Sequence, residues 1–499
     1  MKDKATIGVV GAGVMGRGIV QLFAQAGHRV LLTDNRSGAA EAAEAFVEKM
    51  IRRQVDKEKI TIGEAEDALN RVEPVDDIES LAPCDVIIEA VVENLEIKQA
   101  LFRDIEYLVG EDVILASNTS SLLVSAIASG CRHPGRVAGL HFFNPVPLMK
   151  VVEVIPAVRT EPEVVERLRS MVSQSGHRAV VAQDQPGFLI NHAGRGLNTE
   201  GLKILEERVA TVEDIDRILR DAVGFRMGPF ELMDLTGLDV SGKVMESVFE
   251  QFHQDPRYRP SSLVAPRVAA GLFGRKTKRG FYRYEDGQPL SAPEHQPGPP
   301  QPAGFWVAPS PEQGRRQVIE LLENAGGRFQ EQPSEDCILL VRPWGGDVSS
   351  ESAGRGLDPA RCVGLDPLPE LGLRRTLMTS PAADPDIVDR AHRLLAADGV
   401  PVSIIQDSPG FVCQRVLAVI VNIACEIAQR GIASPADIDD AVRLGLGYPR
   451  GPLAWGDLIG PGRVLEILER IQQLTGDPRY RPTSWLRRRA QLGLSLTQA

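Results

Sequence analysis

The chain has 499 residues, 43% of them hydrophobic, and a formal net charge of −11. Such a length exceeds what one hydrophobic core supports and predicts several domains, while the acidic balance argues against a nucleic-acid partner, which would need basic surface for phosphates. Six cysteines without paired spacing, eight histidines without ligand spacing and no apolar run of bilayer length give no reason to expect a disulfide framework, a metal site or a membrane span.

The sequence enters a strand almost at once, at Ile7–Val10, which leaves no room for a leader peptide and predicts a reducing cytoplasm. GAGVMG follows at Gly11–Gly16, then an amphipathic segment to Gly27 and a second strand, Val30–Thr33, ending at Asp34. In this setting Gly11 makes the tight turn, Gly13 lets backbone approach a pyrophosphate and Gly16 permits close helix packing. Val14 and Met15 open the helix on whose N-terminus the diphosphate would rest. Asp34 is placed to bind both ribose hydroxyls and to repel a 2′-phosphate, which favours NAD; the adjoining Asn35-Arg36 leaves NADP open. Lys49, Arg52 and Arg53, on the helix after Asp34, are candidates for a basic patch, although such a cluster is ordinarily a solvated helix face.

Alternation of strands and helices continues. Asp85–Val91 and Val113–Ala116 are near-continuous apolar runs, as in parallel strands buried on both faces, with a helix near Glu96–Leu108 between them. The fold class is therefore α/β, beginning with a Rossmann-type domain. Ligands on such sheets collect beyond the C-terminal strand ends, where Glu93, Lys98, the run Ser117-Asn118-Thr119-Ser120 and His141 lie. Taken alone, the serine-rich run reads as a turn or helix cap.

Val137–Phe143 is an apolar strand stopped by Asn144-Pro145 and Val146-Pro147, and Val151–Ile155 begins another in which Glu153 interrupts the hydrophobic face. A turn between adjacent strands brings His141 and Glu153 side by side. The carboxylate would then fix the imidazole tautomer and leave the other ring nitrogen as a general base near neutral pH. A core histidine satisfied by a stray glutamate fits the same spacing, and the pair alone does not choose.

Glu285–Gln301 is rich in Pro, Gly and Gln and reads as a linker. Beyond it the sequence repeats the first half at an offset of about 223 residues. QPGFLIN at Gln185–Asn191 returns as SPGFVCQ at Ser408–Gln414, Gly228, Pro229 and Asp234 return as Gly451, Pro452 and Asp457, and DPRYRP recurs at Asp477–Pro482, all in segments expected to be helical. Thr160–Tyr284 and Asp384–Ala499 are thus two copies of one stretch. The division expected is a Rossmann domain at 1–184, a helical domain at 185–284, the linker at 285–302, a reduced Rossmann-like segment without a Gly-rich loop at 303–383, and a second, degenerate helical domain at 384–499. Asp366 replaces His141, the counterpart of Glu153 falls among Thr376–Met378, and Gln414 replaces Asn191. One active site per chain is expected, in the first half.

The glycine loop, Asp34, VVENLEIK at Val91–Lys98, SNTSSL at Ser117–Leu122, GLHFFNPVPLMKVVEV at Gly139–Val154, QPGFLIN and FGRKTKRGFYRY at Phe273–Tyr284 together resemble the 3-hydroxyacyl-CoA dehydrogenase family. The resemblance implies NAD-dependent oxidation of a (3S)-3-hydroxyacyl-CoA, with His141 as base, Glu153 as its orienting partner and Ser120 and Asn191 at substrate-contacting positions. It further implies nucleotide or substrate contacts at Glu93, Lys98, Asn144 and Lys276. One departure is His192, where the family usually has arginine. The two-copy length is similar to bacterial forms acting on 3-hydroxyadipyl-CoA or 3-hydroxybutyryl-CoA in phenylacetate and fatty-acid catabolism. Arg195 and Lys203, on the helix after Asn191, are candidates for receiving a second substrate carboxylate, or are surface charges. Helical domains of the family pair in dimers, so the tandem copy implies an intrachain pseudo-dimer and leaves further homo-oligomerisation open. The competing reading is a structural or regulatory NAD-binding protein that kept the fold and lost the reaction.

Overall fold

The computed structural model describes residues 4–294, 296–309 and 312–498. It divides into two units, Met1–His192 with Arg430–Leu446, and Ala193–Gln429 with Gly447–Ala499.

The first unit is built on eight strands: β1 (Thr6–Val10), β2 (Arg29–Thr33), β3 (Val72–Pro74), β4 (Val86–Glu89), β5 (Ile114–Ser117), β6 (Val137–His141), β7 (Val151–Pro156) and β8 (Arg178–Val181). They form one sheet in the order β3-β2-β1-β4-β5-β6-β7-β8. Helical crossovers keep β1 to β6 parallel, and their strands are buried on both faces by Val, Ile and Leu. Residues 142–150 are too few for a crossover, so β7 returns antiparallel to β6. Strand order reverses between β1 and β4, which opens a crevice beyond their C-terminal ends.

The division does not follow chain order. The helix Pro435–Leu446 belongs to the first unit, where Arg178 on β8 forms ion pairs with Asp437 (2.6 Å) and Asp440 (3.1 Å). A Cβ added at Gly445 would lie 2.7 Å from the Ile190 side chain, so the helix packs closely on the segment after β8.

In the second unit a short hairpin, β9 (Arg283–Glu285) and β10 (Gln288–Leu290), precedes six strands, β11 (Gly304–Val307), β12 (Arg328–Phe329), β13 (Cys337–Val341), β14 (Cys362–Leu365), β15 (Arg375–Thr379) and β16 (Val402–Gln406). Their order is β12-β11-β13-β14-β15-β16, with β14 and β15 antiparallel as β6 and β7 are. The Asp407 carboxylate accepts from the N–H groups of Val348 and Ser349, as Asp184 accepts from those of Val124 and Ser125 in the first unit. This sheet is therefore a shortened echo of the first. The Pro-rich segment before it is not loose throughout, because Glu294 pairs with the buried Arg374, which also holds Asp221 at 2.8 Å.

The helix Val412–Gln429 is mostly apolar, interrupted by Gln414, Arg415, Asn422 and Glu426, and 89% of it is buried, so its length is used inside the protein. It packs on the helix Arg195–Glu206 so closely that a Cβ at Gly196 would come within 2.9 Å of Ile420. Two expectations of helix need correction. Both DPRYRP segments form 3-10 turns, at Pro256–Tyr258 and Pro478–Tyr480, because the Asp255 and Asp477 side chains each accept from the N–H two residues on and proline opens the turn.

Candidate active site

The crevice between β1 and β4 is shaped by glycine. Gly11 has φ +108°, and a Cβ there would meet the Ala90 carbonyl oxygen at 2.5 Å; a Cβ at Gly16 would sit 1.7 Å from the Gly11 carbonyl oxygen. Gly13 instead faces open space. Chain passes under Gly11 and Gly16, and the opening above Gly13 admits a ligand to within backbone distance. The helix Val14–Gln25 starts there with no acidic residue in its first turn, leaving its N-terminal amides and dipole available to an anion. Val14 is half exposed, while Met15 packs on the core.

Asp34, one residue past β2, accepts from the Ala12 N–H at 2.8 Å and from the Arg36 N–H and Nε at 3.0 Å each. Burial pushes its carboxyl up, but Arg36 and the Ala12 N–H outweigh that and hold it below the usual carboxylate range. It is therefore an anion at neutral pH, on the wall of a cavity of about 840 Å³ that Gly11, Gly13, Ile78, Val92 and Ile97 also line. An acid for ribose hydroxyls, apolar walls for a flat ring and a glycine opening for a diphosphate fit NAD.

At the other side of β4, Lys98 is 1% exposed. Its ammonium lies 2.6 Å from Glu89 Oε1 and 3.3 Å from Glu93 Oε2, and Glu89 Oε2 accepts from the Ser117 hydroxyl at 2.7 Å. Glu93 Oε1 accepts from the Thr119 hydroxyl (2.7 Å), the Ser120 N–H (3.0 Å) and the Ser121 N–H and hydroxyl. Burial raises the Glu93 carboxyl, but Thr119, Lys98 and Ser121 overcome it and hold it low. The serine-rich turn is thus tied down by an anion whose charge a buried ammonium balances. Glu89 escapes the reading by sequence. Its signal is the acid in an otherwise apolar DVIIEAV run, the same signal that exposes Glu153.

His141 ends β6 and is the register partner of Glu153 on β7. His141 Nδ1 lies 2.5 Å from Glu153 Oε2, with the carboxylate fully buried. Glu153 Oε1 accepts from the N–H groups of Leu189 (2.9 Å) and Ile190 (2.8 Å), at the start of the helix Ile190–Ala193. The carboxylate therefore joins β7, the imidazole and the turn that carries Asn191, the next residue of that helix. Phe143 and Phe188 pack on the imidazole with ring centroids 4.4 and 5.8 Å away, and Asn118 Oδ1 accepts from the Phe142 N–H at 2.9 Å. With Nδ1 committed to Glu153, Nε2 is the nitrogen left for chemistry.

A second cavity, of about 560 Å³, lies beside the glycine-loop helix, with Arg17, Arg53, Lys57 and Lys59 among its walls and Asn144 and Leu148 opposite. Of the three cations proposed from sequence, Arg53 lines it, whereas Arg52 pairs with Glu48 at 2.7 Å and Lys49 is exposed. Arg17, Lys57 and Lys59 become visible only through the fold. Asn144 lies on this cavity.

The remaining candidates belong to the second unit. Lys276 is ion-paired with Asp239 at 2.6 Å, and Lys203 with Glu207 at 3.2 Å. Arg195 is buried, and burial pushes its guanidinium down to about 10 although Tyr448 acts the other way. In the echo sheet the Asp366 N–H donates to the Thr376 carbonyl, so Thr376 is the counterpart of Glu153, and Gln414 Nε2 donates to Asp366 Oδ1 at 2.8 Å. No imidazole stands there.

Residues 6–185 match the family model for the NAD binding domain of 3-hydroxyacyl-CoA dehydrogenase, and residues 187–284 and 410–497 each match that for its C-terminal domain. The chain is 37% identical over 502 aligned residues to a 3-hydroxyadipyl-CoA dehydrogenase of Escherichia coli K12, covering 99% of this chain and 98% of that one. It is 36% identical to a 3-hydroxybutyryl-CoA dehydrogenase of Bradyrhizobium diazoefficiens, over 57% of this chain and 97% of the other. Among solved structures, a 3-hydroxybutyryl-CoA dehydrogenase from Escherichia coli K12 is similar with a TM-score of 0.87 at 36% identity, covering 98% of each chain.

Proposed function

Given that the chain belongs to the 3-hydroxyacyl-CoA dehydrogenase family, and is an NAD-dependent oxidoreductase on that ground, we propose that His141, Glu153, Ser120 and Asn191 carry its reaction. His141 Nε2 takes the proton of the substrate's 3-hydroxyl as the C3–H bond breaks, and returns it to the ketone oxygen in reverse. Bound NAD supplies the hydride acceptor. Glu153 balances the imidazolium, and its bonds from Leu189 and Ile190 keep it from turning away. Ser120 and Asn191 orient the reacting oxygen and the thioester carbonyl. Gly11, Gly13, Val14, Met15, Gly16 and Asp34 hold NAD, and Glu93 and Lys98 set the serine-rich turn beside it. Roles for Asn144 and Lys276 at nucleotide or substrate rest on the family resemblance.

The observation that carries this reading is the His141–Glu153 register pair, an imidazole held by a buried acid at the C-terminal edge of an NAD-binding sheet. The cations around the 560 Å³ cavity suit the phosphates of CoA and offset the chain's acidic balance locally. Both substrates are named among the relatives matched end to end, and of the two we assign 3-hydroxyadipyl-CoA, the one named for the 37%-identical Escherichia coli dehydrogenase. The two helical copies act as an intrachain pseudo-dimer, and the protein works in the cytoplasm, in keeping with its six free cysteines. No observation favours a non-catalytic role.

The test is NADH consumption with 3-oxoadipyl-CoA and acetoacetyl-CoA, each repeated with His141→Ala. A higher kcat/KM for the longer acid, lost in the variant, is the expected result. Equal rates for the two proteins would remove the mechanism, and a preference for acetoacetyl-CoA would reverse the substrate assignment.

A further inference from the structure

His192, the departure from the family's arginine, has a counterpart at the repeat offset of about 223 residues. It is Arg415, and there the arginine is present. Arg415 is almost fully buried in the second unit. It donates to Glu200 at 2.8 Å, Glu207 at 2.7 Å, the Ser408 hydroxyl at 2.9 Å and the Tyr480 hydroxyl at 2.8 Å, and Tyr480 donates in turn to Glu200. Glu200 and Glu207 belong to the first helical copy, Arg415 and Tyr480 to the second. A second cross-copy pair joins Arg257 of the first to Glu426 of the second at 2.6 Å.

Around these pairs the backbone contacts are reciprocal. Arg257 donates to the Arg481 carbonyl, and its counterpart Arg479 donates to the Arg259 carbonyl, the pattern of an isologous two-fold interface. The charges are not reciprocal. At the repeat offset Glu200 becomes Ile423, Glu207 becomes Arg430, and Glu426 becomes Lys203. Two first copies meeting through this surface would set Arg257 against Lys203, twice. Two second copies would bury Arg415 against isoleucine and arginine. Only the mixed pair gives Arg415 its two carboxylates, Glu200 and Glu207; its reciprocal half sets Arg479 against Lys203 once, a mismatch that two first copies would carry twice.

We propose that these substitutions form a charge code that makes each helical copy the other's sole partner, so that the second copy is a dedicated mate for the first and bars this surface to other chains of the same protein. The proposal rests on the pseudo-dimer reading and adds its selectivity. A buried guanidinium deprived of its carboxylates is costly, whereas apolar replacement of a whole ion pair is often neutral, so the code acts by penalising wrong pairings.

The test uses the folded full chain with a protease site inserted in the Pro-rich segment 285–302 and a tag on the first piece, cut under native conditions and mixed with a differently tagged batch. The wild-type first piece is expected to retain its second piece and recover no other first piece. Glu200→Ile is expected to weaken retention at least about 100-fold, as loss of a buried partner does. His192→Arg with Lys203→Glu, which gives the first copy a self-matching code, is expected to let first pieces recover one another. If wild-type first pieces recover each other as readily as the second piece, or if the folded double variant gains no self-association, the code is overturned while pairing stands. If the cut wild-type pieces separate at once, pairing itself fails. Should E200I not fold, the gain-of-association variant carries the decision.

Discussion

Asp366 stands across the β14–β15 ladder from Thr376 in the same register in which His141 stands across β6–β7 from Glu153. Both sheets keep the antiparallel turn-back that brings two side chains together at its edge; only the first keeps an imidazole and an acid there. In the second, Gln414 bridges Asp366 to the Gly345 N–H and the Pro343 carbonyl, filling the edge with structural hydrogen bonds.

Replacing His141 with alanine should lower kcat by about 10²–10⁴-fold, the usual worth of a positioned general base, and leave KM for NAD near its wild-type value. Glu153→Gln should cost about 10²-fold or more in kcat, because a neutral amide no longer steadies the imidazolium. Steady-state NADH kinetics with circular dichroism as a folding control checks both. An E153Q enzyme with undiminished kcat would leave the glutamate a purely structural part.

Asp366 gives a pH prediction. Burial pushes its carboxyl up to about 6, against Gln414, the Leu368 N–H and Arg342, which act to lower it. A folded-state value raised above the unfolded one means that this group favours the fold when neutral, an advantage complete below about pH 4 and lost as pH rises through about 6. Asp366→Asn should therefore stabilise the protein by roughly 1–3 kcal/mol at pH 8 and by almost nothing at pH 4. Thermal unfolding across that range reads it, and turnover should be unchanged, since the residue lies in the copy without an imidazole.

Asp34 runs the opposite way. Its carboxyl is held below the ordinary range, so its contribution is complete above about pH 4 and fades only as pH falls through the lowered folded-state value. Asp34→Asn should raise KM for NAD by about 10–100-fold through loss of charge-assisted bonds to the ribose, with KM for the acyl-CoA little altered. Titration calorimetry with NAD alone separates binding from turnover.

Reversing Arg53 and Lys57 to glutamate should raise KM for acyl-CoA by about 10-fold or more, and flatten its dependence on ionic strength. The same pair of changes should leave a phosphate-free pantetheine thioester unaffected. Equal losses on both thioesters would detach the 560 Å³ cavity from CoA.

Much of the first sheet was legible because its signals are local. A strand, a glycine turn and an acid follow in order at residues 7–34, and the two prolines at 145 and 147 force the short connection that sets His141 beside Glu153. What stayed hidden depends on residues distant in sequence. Glu89 reads as a flaw in an apolar strand until Lys98 and Ser117 close on it. Lys57 and Lys59 are ordinary helix-end charges until the chain after His141 folds opposite them. Arg178 reads as a surface charge on β8, yet it meets Asp437 more than half the chain away. Periodicity reports which face is buried and says nothing of which distant segment covers it.

The helix Pro435–Leu446 completes the unit that holds the catalytic pair and packs on Ile190, whose amide bonds Glu153. During synthesis every reacting side chain emerges from the ribosome before this helix does, and the wall behind the glutamate waits for some 240 more codons. A nonsense mutation after the Pro-rich segment would therefore spare the whole list of active-site residues and still deprive the nascent enzyme of its backing.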